Sequence, residues 1–129
     1  MSGEVVDIEA LLVAWLEDTI EDVHASTETP ADMETRLPWI QVTGTGGGHD
    51  GSRRDQPSAD ISVFAASTVA ASDLAAQIHR LLHEQLAWSS YAGVSINRIT
   101  TRVRPHRVPY DNPDLRRYES SYSFVVHPI

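Results

Sequence analysis

The chain contains no cysteine and no lysine. The first absence excludes disulfides, thiolate zinc sites and cysteine nucleophiles, and leaves an intracellular folding site open. The second excludes a P-loop, whose lysine must reach the phosphates. All ten cationic side chains are therefore Arg, a bias that GC-rich coding explains as readily as a preference for guanidinium. No apolar run approaches the roughly 20 residues of a membrane helix, so no membrane association is expected. The opening MSGEVVDIEA has neither a basic region nor a long apolar run, so no signal peptide is expected. No G-x-S-x-G occurs, and no carboxylate pair stands in an apolar setting. The sequence thus nominates no catalytic residue, no cofactor and no metal, and a non-enzymatic role is expected.

What is present fits one domain spanning residues 1–129. A domain of this size buries roughly two thirds of its unfolded surface, enough for a core without staples. The charge is uneven. Residues 1–50 hold eleven Asp or Glu against Arg36 alone, a net −10, whereas residues 51–129 hold seven against nine Arg, a net +2. The acidic total argues against tight nucleic-acid binding, which needs clustered cations to release counterions. A polar subunit that meets copies of itself or other partners at two ends would show such a split.

In DIEALLVAWLEDTIED, Ile8, Leu11, Leu12, Trp15 and Leu16 fall on one helical face. Asp7 suits the N-cap and Glu9 the positive first turn. Glu17, Asp18, Glu21 and Asp22 crowd the other end, where the helix dipole disfavours anions. They read either as a solvated face or as a surface kept acidic for a partner or for DNA repulsion.

DVHASTETP reads as a short strand, ADMETRLP as a connector and WIQVTGTG as a further strand. The stretch Gly44–Ser58, with four glycines in five positions and Arg53 and Arg54 beyond, reads as a long mobile loop that orders against a partner. GGGHDG matches the dinucleotide-binding string, but a strand-like segment follows it where that fingerprint needs a helix. ADISVFAAS alternates as a strand and completes a long hairpin. A second helix starts between Ser67 and Ser72 and runs to about Trp88, and SSYAG ends it. VSINRITTRVR is a strand whose parity changes near Asn97, which a bulge reconciles. Pro105 and Pro109 keep the chain out of a central ladder. NPDL forms a turn, and in YESSYSFVV the residues Tyr118, Ser120, Tyr122, Phe124 and Val126 share one side. The predicted fold is α+β: an antiparallel or mixed sheet of about four to five strands with two helices on one face.

Two further groups bear on function. Arg98, Arg102 and Arg104 share one parity and would form a basic stripe, either solvated or set against a neighbour's carboxylates. His79 and His83 lie one helical turn apart, with Glu84 beside them. A small enzyme or metal site could use the three, but helical projection turns both rings to water and no third ligand comes at a recognisable spacing.

Two long phrases, ADISVFAASTVAASDLAAQIHRLLHEQL and RVRPHRVPYDNPDLRRYESSYSFVVH, together with the first helix and LPWIQV, carry a resemblance over roughly residues 5 to 128. In them the chain resembles the tail terminator proteins of long-tailed bacteriophages. The resemblance implies a structural virion protein, assembled in the host cytoplasm, whose homo-hexameric ring caps the tail tube and ends its polymerisation. It implies the tail tube protein and a head-completion or connector protein as partners, and DNA that passes through the ring without specific binding. It carries no catalytic residues. A head-closure or neck protein is the alternative within the same class. On this reading the interface candidates are Arg53, Arg54, Arg98, Arg102, Arg104, Arg116 and Arg117 against Glu17, Asp18, Glu21 and Asp22.

Overall fold

A computed structural model describes residues 5–49 and 55–129. Helix α1 (Ile8–Thr19) buries Ile8, Leu11, Leu12, Trp15 and Leu16. The Asp7 carboxylate accepts from the Ala10 N–H at 3.0 Å and caps it. Strand β1 (His24–Ser26) and a single 3₁₀ turn (Met33–Thr35) lead to the long hairpin of β2 (Trp39–His49) and β3 (Asp55–Ala65). Helix α2 (Thr68–Leu81) is capped by the Ser67 hydroxyl, which accepts from the Ala70 N–H at 3.1 Å. A π-helical turn (Leu82–Leu86) extends it before β4 (Ser89–Tyr91), β5 (Val94–Val108) and β6 (Arg116–Pro128). Among the described residues no helix is long and apolar enough to cross a membrane.

The strands form one mixed sheet in the order β1-β2-β3-β6-β5-β4, with β1 parallel to β2 and the other pairs antiparallel. The class is α+β, but the strand count is six where four to five are expected. The three residues of β4 are too few to show an alternation, so SSY reads in the sequence as the end of a helix. That helix in fact stops at Leu86, and Trp88 lies outside it, 81% exposed and at φ 67°.

Both helices pack on one sheet face. A single core joins Leu12, Leu16, Ile78 and Leu82 to Ile40, Ile61, Tyr122 and Phe124. The alternation of β6 holds, since Ser120, Tyr122, Phe124 and Val126 are all buried. On the opposite face Met33, Trp39, Phe64 and Leu115 make a second, smaller cluster. The parity change in β5 is also present, as a register shift between Ile96 and Arg98.

The mobile-loop reading of Gly44–Ser58 is overturned wherever that stretch is described. Gly44, Gly46, Gly47, Gly48 and His49 pair with Ala59, Ser58, Pro57, Gln56 and Asp55, with a bulge at Thr45. Arg53 and Arg54 lie outside the described residues. The glycines here serve backbone geometry. Gly47 has φ 102°, and a Cβ on it would stand 2.1 Å from the Gln56 carbonyl oxygen. Gly46 also has a positive φ of 94°, but open space around it. Gly47→Ala is therefore expected to destabilise the fold by about 1–3 kcal/mol, and Gly46→Ala by about 1. Urea unfolding of the two variants checks this, and equal losses would show that the close approach at Gly47 is relieved at no cost.

Candidate assembly surface

The acidic end of α1 divides into two kinds of residue. Glu17 accepts from the Ala25 N–H at 3.3 Å and ties β1 to the helix. Asp18 accepts a short hydrogen bond from the Tyr91 hydroxyl. That bond, followed by burial and the charge of Asp18, pushes the Tyr91 phenol up to about 12. Each bond offsets part of the dipole penalty these carboxylates meet at a helix C-terminus. Glu21 and Asp22 are exposed and make no hydrogen bond to other described side chains. Asp22 sits at φ 61° in the reversal between α1 and β1. With Asp73 of α2 the pair rims a groove of ≈ 520 Å³, lined by Ile20, Leu37, Ala66 and Leu74.

Arg98, Arg102 and Arg104 are all exposed and form no ion pair among the described residues. They do not make the even stripe that their parity suggests. Register shifts fall between Ile96 and Arg98, Thr101 and Val103, and Val103 and His106. Each such irregularity breaks the period-2 alternation, so the three guanidiniums cannot keep a common phase. Arg107 adds a fourth exposed cation to the same strand, which the sequence reading passes over. Because β4 pairs only with Val94–Ile96, the outer edge of β5 beyond Ile96 has no partner among the described residues. Pro105 lies in this one-sided stretch, where a missing N–H does no harm.

Arg116 and Arg117 are largely engaged within the subunit. Arg116 donates from Nη1 to the carbonyls of Pro113 and Leu115 at 2.8 and 3.1 Å, closing the turn before β6. Arg117 stands 5.5 Å above the Phe64 ring, donates to the Ser62 hydroxyl at 3.1 Å and lies 3.7 Å from the Glu119 carboxylate. Its Nε is buried with no partner among the described residues.

The water-facing reading holds for His83, which is exposed, but not for His79, which is half-buried against the sheet. The Tyr122 hydroxyl and His79 Nδ1 share a hydrogen bond of 3.0 Å, and the Thr101 hydroxyl and His83 Nε2 one of 2.6 Å. The two rings stand 4.9 Å apart, edge to face. The projection marks the flank of α2 as polar, but β6 partly covers it at His79, while His83 reaches Thr101 of β5 from the surface. Glu84 turns away to Arg80 at 3.3 Å. Among the described residues no group of three His, Cys, Asp or Glu gathers.

Burial, and then the nearby His83, holds His79 below the ordinary imidazole value of 6.5. The groups around it are the Tyr122 phenol from β6, His83 on its own helix with Thr101 of β5 behind it, and the outward Arg80–Glu84 pair. A lowered imidazole pKa means that the unfolded chain takes up the proton more readily. The stabilising contribution is thus present above about 6.5 and is lost as pH falls through the folded value. His79→Gln is expected to flatten the fall in melting temperature between about pH 7 and pH 5. An unchanged slope would assign the acid sensitivity to other groups.

No family model and no curated protein matches the chain.

Proposed function

We propose that the chain is a structural ring protein of the tail-terminator kind, which caps a tail tube, ends its polymerisation and joins it to the head connector as a hexamer. One observation carries the reading. The two phrases that resemble the family form one contiguous block in space. The first is β3, α2 and the π-helical turn; the second is the end of β5, the turn and most of β6. They meet along the β3–β6 ladder, in which Ile61 faces Ser120 and Val63 faces Tyr118. The likeness therefore covers the centre of the sheet together with the helix packed on it.

The charge split supports the same reading. A carboxylate-rich lumen would let DNA slide without sticking, since like charge repels phosphate. The exposed Glu21 and Asp22, on the half of the chain with net −10, are available for such a role or for a neighbour.

The test has two readouts. Light scattering across a concentration series is expected to show a mass that rises to six subunits. Electron microscopy of tails assembled with and without the protein is expected to show tubes of defined length only in its presence. A strict monomer that leaves tube length uncontrolled would refute the reading. A ring that binds heads but leaves tube length unchanged would favour the head-closure alternative.

A further inference from the structure

Resting on the ring reading, we propose that each subunit inserts the bulged segment Arg102–Val103–Arg104 of β5 into the acid-rimmed groove between α1 and α2 of the next copy. The groove has an apolar floor, with Ile20, Leu37 and Leu74 among its lining, and carries Glu21, Asp22 and Asp73 at its rim. The segment has the opposite pattern. Val103 is a large apolar side chain 46% exposed to water, and an exposed arginine stands on each side of it. Register shifts on both sides of Val103 release this part of β5 from the regular ladder. A bulge of this kind bends the strand and re-aims its side chains.

The chemistry matches part for part. Val103 would leave water for the apolar floor, while the guanidinium forks of Arg102 and Arg104 would meet the rim carboxylates in charge-assisted hydrogen bonds. A single exposed ion pair contributes little. Several pairs that surround a desolvating apolar contact, repeated around a closed ring, contribute more. The groove and the segment also lie on different parts of one subunit. The groove is built from the end of α1, the approach to β2, the end of β3 and the start of α2. The sheet order places β6 between β3 and β5, which keeps the segment away from its own groove. A contact between two unlike patches is heterologous, and such contacts close into rings by rotation.

The experiment uses the full chain and two kinds of variant. R102E with R104E is expected to weaken assembly by about tenfold or more, and so is E21R with D22R. All four changes together are expected to restore it. Circular dichroism melts check that each variant is folded: all four positions are exposed, and Arg at the φ 61° of Asp22 is expected to lower the melting temperature by only a few degrees. Separately, Val103→Cys with Ala66→Cys exploits the absence of native cysteine. Mild oxidation should link successive copies into a ladder up to the ring, whereas either single cysteine stops at the dimer. If the reversals weaken assembly but the combination fails to restore it and no ladder forms, the pairing is wrong. Rings that form normally in every reversal overturn it as well. Where rings form but tubes go uncapped, the groove takes another partner and the contact between copies is refuted, while the ring reading stands. A wild-type chain that stays monomeric at every concentration and leaves tube length uncontrolled removes both.

Discussion

Tyr122→Ala is expected to lower the unfolding free energy by about 3–5 kcal/mol, the range for removing a buried aromatic side chain. Tyr122 is fully buried in β6, between β3 and β5, with Ala59 and Thr101 as its pairing partners. Truncation leaves a cavity under α2, which the packed faces of two helices cannot close without moving. Tyr122→Phe separates packing from polarity. It keeps the ring but deprives His79 Nδ1 of its partner. The expected loss is about 1 kcal/mol, because His79 is only half-buried and water can replace part of the bond. Urea unfolding at constant m decides between them. A loss below about 1.5 kcal/mol for the alanine variant would show that the helices relax into the space.

Arg117→Glu is expected to destabilise the isolated subunit by about 3 kcal/mol, near the lower end for breaking a partly desolvated charge pair. The change removes the cation over Phe64 and the donor to Ser62, and sets a second carboxylate beside Glu119. The neighbouring Arg116→Glu loses only hydrogen bonds to two carbonyls at the turn, with an expected loss of about 1 kcal/mol. The sequence alone suggests that reversing both arginines spares the subunit and weakens only assembly. The contacts of Arg117 within the subunit argue that its reversal costs stability as well. Any assembly defect of Arg117→Glu must be read against its own loss of stability. Arg117→Met is the control, since it keeps an apolar stem on Phe64 and adds no repulsion. Thermal melts of the three variants are the measurement, and equal melting of Arg116→Glu and Arg117→Glu would contradict the assignment.

These two arginines show where a sequence reading stops. Strand alternation correctly places Arg117 with Glu119 and Arg116 with Tyr118 on opposite sides of β6. It does not show that β3 brings Ser62 and Phe64 alongside, because that pairing joins residues more than fifty positions apart. The reading of His79 as water-facing fails in the same way. A helical projection sees only the residues of α2, so a flank without leucines looks wet. The tyrosine and threonine that meet it come from β6 and β5.

The sequence by itself determined what depends on short-range periodicity and on residue chemistry. That includes the amphipathic α1 with its Asp7 cap, the alternation of β6 and the parity break near Asn97. It also includes the exclusion of thiol chemistry and the separation of acidic from basic halves. Each is written in neighbours a few positions apart, where backbone geometry alone decides which side chains share a face. Only the tertiary structure decided the role of the glycine stretch, the use of Glu17 and Asp18 inside the fold, and the freedom of Glu21 and Asp22. It alone brought the acid rim and the apolar groove together from the turn after α1, the approach to β2, the end of β3 and α2. The physical reason is that, away from helix caps and ends, a carboxylate or guanidinium biases local conformation only weakly. Whether it is spent inside the subunit or left for a partner is set by distant segments that fold against it.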